Sequence, residues 1–184
     1  MSAMQRMNGE RLKHEYAEGN RAFRNLDLSG ADLFECDLEG IDLEGSDLSH
    51  AYLPYANLSR ASFKETRLHH IQLGNAKLQS ADFSGAQFFD SQFVRANLCY
   101  CTFHHAAVQQ SNLHGVDLRY ANLSHARLRK VDLSSANLTQ TILLQTQLVR
   151  CNLFRAQGLN LAEAIVDELT IFPNGYREQR SNPS

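Results

Sequence analysis

The chain has 184 residues, 18 Lys plus Arg against 20 Asp plus Glu, and a formal net charge of −2. That length suits one domain with a real core, and near-neutrality excludes a general nucleic-acid or membrane-surface binder. Mean hydropathy is −0.38, and no apolar run approaches the ~18 to 20 residues of a spanning helix.

Residues 1–20 read as an N-terminal cap. They lack the apolar core of a signal peptide, so the expected compartment is the cytoplasm. Residues 8–18, NGERLKHEYAE, predict a helix with Asn8 as N-cap and Gly19 as its stop. Met4, Met7, Leu12 and Tyr16 are placed to face whatever follows.

From 21 to 157 the chain repeats with a period of five. Stepping by five from Phe23 to Leu153 meets 27 positions, all apolar: 20 Leu, six Phe and Val108. Two residues before each centre stands a small side chain in 23 of the 27, the exceptions being Arg21, Leu26, Ile41 and Ile71. One residue before it stands Asp or Asn in 14. A period of five is neither helical nor a plain strand. Two inward residues two apart, followed by a corner, describe a polygonal coil. Coils stack at roughly 4.8 Å per layer. One coil cannot bury its own apolar side chains, so the coils must stack. The Asp and Asn are short enough to bond nearby backbone at the corners, which gives them a structural task.

The motif A-(D/N)-L-x-x, as in Ala31-Asp32-Leu33, Ala121-Asn122-Leu123 and Ala136-Asn137-Leu138, resembles the pentapeptide-repeat family over residues 21–157. The resemblance implies an all-β fold: a right-handed quadrilateral parallel β-helix, four pentapeptides per coil. Twenty-seven units then make about seven coils, with no projecting loop. Twenty residues per coil places Phe63, Phe83 and Phe103 in one inner column. Phe88 falls between Leu68 and Val108, and Phe93 between Leu73 and Leu113. Such columns fill the interior and leave no ligand channel.

The phase breaks at Gly158. Residues 158–176 read as a C-terminal cap, with a short helix at 161–169 and a turn at Pro173-Asn174-Gly175. Leu159, Leu161, Ile165, Val166, Leu169 and Ile171 are available to cover the last coil. Residues 177–184 are polar and predict a disordered tail.

No catalytic motif is present, and a shaft without a cleft does not suit an enzyme. No cofactor is expected. Cys36, Cys101 and Cys151 share the small inward position, while Cys99 points outward and is the thiol expected to react. His105 and His125 are neighbours on successive coils with His104 beside them, and His50 and His70 are stacked likewise with His69 adjacent. Imidazoles one layer apart offer a metal site, although no carboxylate or thiolate completes it.

Charge is uneven. Eight acids and no base lie between 27 and 48: Asp27, Asp32, Glu35, Asp37, Glu39, Asp42, Glu44 and Asp47. Arg127, Arg129, Lys130 and Arg150 share one face near the other end. Phe34, Tyr52, Pro54 and Tyr55 cluster outward on the first coils, open to a partner or to the N-terminal segment. Tyr100 and Tyr120 stack on another face. Ile142, Leu144, Val149 and Phe154 point outward near the end, awaiting the 159–172 tail or a dimer partner.

Three functions follow. The first is a non-enzymatic protein-interaction scaffold of unassigned partner, binding neither nucleic acid nor membrane, and a monomer or a weak dimer through its C-terminal end. The second comes from the resemblance: some relatives look like duplex DNA, bind type II topoisomerases such as gyrase and confer quinolone resistance. Those are generally strongly acidic along the rod, and some carry loops from the shaft; this chain departs on charge and on loops. The third is metal binding through His104, His105 and His125.

Overall fold

A computed structural model describes residues 4–177. Its architecture follows from the five-residue unit. Two inward side chains two apart are followed by a tight corner: the Ala31 N–H donates to the Leu28 carbonyl (3.1 Å), and the Ala56 N–H to that of Leu53 (3.2 Å). The residue before the acceptor's partner has positive φ, as in Gly30 (φ 69), which is the signature of a type II turn. Among the described residues, 22 non-glycine residues share this positive φ, between 51 and 62. Each costs about 1–2 kcal/mol, so only the continuous ladder above and below makes the corner tolerable.

Parallel bridges join the residue before a centre to the one twenty further on, from Ala22–Asp42 to Asn137–Gln157. Four units therefore close one coil, and the shaft has four faces. We number them by their inward centres: first (Phe23, Leu43 and onward), second (Leu28, Leu48), third (Leu33, Leu53) and fourth (Leu38, Leu58). Near the base, strand β1 (Gln5–Arg6) pairs in parallel with β2 (Leu26–Asp27). Extended rungs recur on the second face: β3 (Arg67–His69), β4 (Gln87–Phe89), β5 (Ala107–Gln109), β6 (Arg127–Arg129), β7 (Gln147–Val149) and β8 (Ile165–Val166), stacked in chain order.

The interior is one continuous apolar cluster from Met7 to Ala156. Phe63, Phe83 and Phe103 stack at 4.8 and 4.9 Å between ring centres. Phe88 lies in register between Leu68 and Val108. Buried hydroxyls and thiols donate to the carbonyl of the coil beneath: Ser46 to Phe23 (2.8 Å), Thr141 to Leu118 (2.8 Å), Thr146 to Leu123 (2.7 Å) and Cys101 to Leu78 (2.9 Å). The small inward column can therefore carry Ser, Thr or Cys without leaving a polar atom unsatisfied.

All 14 Asp and Asn residues preceding a centre accept a hydrogen bond from the backbone N–H two residues on, from Asp27 with Ser29 (3.0 Å) to Asn152 with Phe154 (3.1 Å). This is the Asx-turn that their short side chains suit. Each closes the corner outside its coil.

The base is covered by helix α1 (Gly9–Ala17), with the Asn8 side chain accepting from the Arg11 N–H (2.9 Å) and Glu18 as C-cap. A Cβ on Gly9 would lie 2.6 Å from the Asp32 carbonyl oxygen, so only glycine lets the helix start so close to the first coil. Leu12 is fully buried, Met7 nearly so, and the Tyr16 hydroxyl donates to the Glu39 carbonyl (2.8 Å). Met4, expected to face the coil, is instead exposed.

The far end departs from expectation. No helix forms at 161–169; that stretch continues the ladder. Ile165 pairs with Gln147 and Ile171 with Asn152, offsets of 18 and 19 residues instead of 20. Thr170 takes the place above Cys151, accepting from its N–H (3.1 Å). The shaft thus has about eight turns, because both flanking segments add to it. The chain then reverses, the Gly175 N–H donating to Phe172 O (2.9 Å), and Arg177 pairs antiparallel with Ile171. That reversal blunts the open edge. Because the tail builds upward, Ile142 and Leu144 stay exposed and Val149 is half-buried, while Phe154 keeps part of its ring open although the reversal at Gly175 lies against it. The expected disordered tail lies outside the described residues except for Arg177. No helix among the described residues is long and apolar enough to cross a membrane.

Candidate interaction faces

The Asx-turn pattern fixes where outward side chains stand, and aromatic residues at those positions form a patch on the third face. Phe34 and Tyr52 stack with ring centres 5.9 Å apart, and Tyr55 meets Phe34 edge-on at 6.1 Å. Their exposures are 43%, 45% and 56%, so helix α1 leaves them open. Pro54 is half-buried beside them, its carbonyl accepting from the Glu35 N–H (3.1 Å). On the fourth face, at its far corner, Tyr100 and Tyr120 stack at 4.9 Å.

The acidic run is less bare than its sequence window suggests. Arg6 approaches Asp27 (3.6 Å), Arg24 holds Asp42 (2.6 Å) and Glu44 (3.8 Å), Arg60 holds Glu39 (2.9 Å), and Arg67 holds Asp47 (3.0 Å). All four bases lie outside residues 27–48 in sequence but one layer away in space. Burial alone would raise the Asp47 carboxyl, but hydrogen bonds from Ser49 and Arg67 hold it below the usual carboxylate range. Asp32, Glu35 and Asp37 remain near the aromatic patch without an ion-pair partner among the described residues.

The upper part of the second face is cationic. Arg127 and Arg129 are the outward residues of β6, Lys130 follows at the corner, and Arg150 stands one layer above Lys130. Among the described residues no carboxylate forms an ion pair with any of the four. Arg119 differs: on the fourth face it grips Asp117 through Nε and Nη2 (2.9 and 2.7 Å).

The histidines do come together. His105 stacks on His125 at 5.1 Å, and His104 lies 4.1 Å from His105 and 5.4 Å from His125. His50 stacks on His70 at 4.7 Å, whose Nδ1 lies 3.3 Å from Asp90. Among the described residues, no three His, Cys, Asp or Glu side chains converge on a metal-sized site. Burial, then His104, His125 and Arg127, lower the His105 pKa below its ordinary 6.5. His69 is lowered by burial and then Arg67. The unfolded chain therefore binds more protons just below pH 6.5, so stability is full above that value and falls as pH drops through the window. We expect the urea midpoint to drop between about pH 7.5 and about pH 5.5, and His105→Gln to reduce that drop. An equal drop in the variant would refute the assignment.

Cys99, expected to be the reactive thiol, is buried at 6% exposure. The Asp117–Arg119 pair of the next coil roofs it. Burial and then Asp117 raise its pKa, so it is not activated. Burial raises Cys101 as well and pushes Cys151 up to about 11. Cys36 is only half-buried, at the base where α1 covers the coil in part.

Sequence reasoning missed a depression of about 390 Å³ on the second face, lined by His69, Gln87, Phe89, His105, Ala107 and Gln109. The available signal was small outward residues, Gly85 and Ala107, on successive coils.

A family model described as pentapeptide repeats matches the chain with eight copies, over residues 22–49, 41–79, 66–104, 96–134 and 132–157. No curated protein matches it. Among solved structures, a trypsin-treated form of QnrB1, a plasmid-mediated fluoroquinolone resistance protein, is 22% identical over 79% of this chain and 81% of that one, with a TM-score of 0.56. Full-length QnrB1 is 16% identical over 95% and 87%, with a TM-score of 0.46. HetL, a pentapeptide repeat protein involved in heterocyst differentiation regulation in the cyanobacterium Nostoc sp. strain PCC 7120, is 23% identical over 94% and 100%, with a TM-score of 0.27. At 22% identity the likeness to trypsin-treated QnrB1 is one of fold.

Proposed function

Because the chain belongs to the pentapeptide-repeat family, we propose that it is a non-enzymatic scaffold that binds a protein through an outward face of its shaft. The exposed Phe34–Tyr52–Tyr55 patch carries this reading. Three aromatic rings in contact, left open on a rigid ladder, lose little further freedom on binding. Aromatic side chains of that kind are enriched at the cores of protein interfaces. The apolar interior is filled by the stacked columns, which leaves recognition to the outside. The flanking Asp32, Glu35 and Asp37 favour a partner with basic groups around its contact.

The test is affinity capture from lysate of the source organism, comparing wild type with Phe34→Ser/Tyr52→Ser/Tyr55→Ser. The expected result is one protein held in stoichiometric yield by wild type and lost by the variant, with the urea midpoint unchanged. Identical captures from both would overturn the aromatic face. Recovery of a topoisomerase, together with inhibition of gyrase supercoiling at micromolar protein, would replace this reading with DNA mimicry. The cationic second face argues against that, since it would repel a surface built for phosphates.

A further inference from the structure

The second face carries a second feature built by register. Gln87, Ala107 and Arg127 follow one another in one column, and Phe89, Gln109 and Arg129 in the next. The small Ala107 leaves the 390 Å³ depression, with Phe89 and His69 on one side and His105 on the other. Directly above it stand Arg127 and Arg129, with Lys130 and Arg150 at the corner. The nearest acids are engaged or peripheral. Asp90 lies by His70 (3.3 Å), Asp167 accepts from the Arg150 N–H (2.9 Å) and the Thr170 hydroxyl (2.7 Å), and Glu168 borders the upper end. A hollow of mixed lining, with Phe89 and Ala107 as its apolar patch among His69, Gln87, His105 and Gln109, lies beneath four cations and makes a two-part site.

We propose that this face binds an acidic polypeptide segment carrying one aromatic or long apolar side chain. The side chain fills the hollow over Ala107. Carboxylates further along the segment pair with Arg127, Arg129 and Lys130. The spacing allows it: an extended chain advances about 3.3 Å per residue and the layers are about 4.8 Å apart, so carboxylates one to three residues beyond the anchor reach the two cationic layers. Guanidinium groups suit bidentate pairing with carboxylates.

A nucleic-acid strand fits less well. Single-strand sites track the backbone with a cationic groove and offer successive aromatic platforms. Here the cations without an ion pair stand in two layers, and Arg67 lower on the face is held by Asp47. Of the two phenyl rings at the hollow, Phe88 is buried in the core, and His69 and His70 pack across Phe89 at 66° and 82°. A strand running down the rod would meet Asp90 and Asp47.

The proposal rests on the scaffold reading but uses a different face, so the two fail separately. The probe is a fluorescein-labelled peptide with one Phe followed by four Glu, titrated by anisotropy into the full chain at low salt. Its controls are the same peptide with Ala for Phe and an oligodeoxynucleotide of equal charge. Expected are micromolar binding that weakens with salt, a roughly tenfold loss in Arg127→Ser/Arg129→Ser/Lys130→Ser, and a similar loss for the Ala peptide. Ala107→Leu should fill the hollow and abolish the preference for Phe while keeping the salt dependence. Phe34→Ser/Tyr52→Ser should bind the peptide as wild type does. Absence of binding, equal binding by the triple variant, or no preference for Phe would each overturn the proposal. Tighter binding of the oligonucleotide would replace the acidic segment with nucleic acid.

Discussion

Phe83→Ala costs the fold about 3–5 kcal/mol, the upper range for truncating a buried aromatic side chain. Phe83 is fully buried at mid-shaft, stacked on Phe63 at 4.8 Å and Phe103 at 4.9 Å, with Phe88 at 5.5 Å and Phe93 at 6.4 Å packed at steeper angles. Such aromatic pairs add about 0.5–1.5 kcal/mol each beyond area burial. Relaxation cannot recover much. The Phe63 N–H donates to the Asp82 carbonyl (2.7 Å) and the Phe83 N–H to that of Thr102 (2.7 Å), so the ladder holds the layers apart and the void stays open. Each coil contacts only its neighbours, so a weak layer also threatens coupling between the two halves. Urea unfolding followed by far-UV circular dichroism should show a lower midpoint, and a shallower or split transition. A loss below about 1 kcal/mol would show that the aromatic column is ornament on a core held by its leucines.

Much of this was legible because a solenoid writes its register into its sequence. The columns Phe63–Phe83–Phe103 and Leu68–Phe88–Val108 follow from adding twenty to a residue number, and the structure keeps that offset from Ala22 to Gln157. The corners were legible through Asp and Asn, whose chemistry at one position has one structural use. The C-terminal turn was hidden for two reasons. Its offsets of 18 and 19 residues break the period, and the run Leu161 to Leu169 has helix-favouring Ala and Glu. The exposed edge of β7 overrode that local preference. Distance in sequence hid the neutralising role of Arg6, Arg24, Arg60 and Arg67, since a charge window reads along the chain while the ion pairs run across it. Cys99 was misplaced for the same reason: its cover, Asp117 and Arg119, comes from the next coil.

Leu12→Asp should strip the cap from the base and leave the shaft standing. At nine residues, α1 is too short to persist alone in water. It is held by Leu12, Met7 and Tyr16 packing on the first coil. A carboxylate at the fully buried Leu12 would lack a partner. It would also lie on the part of the molecule that carries Asp32, Asp37 and Glu39, whose charges act on Lys13 and Tyr16 of the same helix. The lost burial alone amounts to about 2–5 kcal/mol, more than a nine-residue helix and the two-residue β1 can absorb. Both should detach, baring Phe23 and the backbone edge of the first coil. An open parallel edge recruits other edges, so the variant should bind an apolar dye and grow with concentration, while its far-UV spectrum stays that of the shaft. Hydrogen exchange separates this from global unfolding: amides of 9–17 should lose protection while those of β4 to β6 keep it. Protection of α1 equal to wild type would mean that Leu12 is not what holds the cap down.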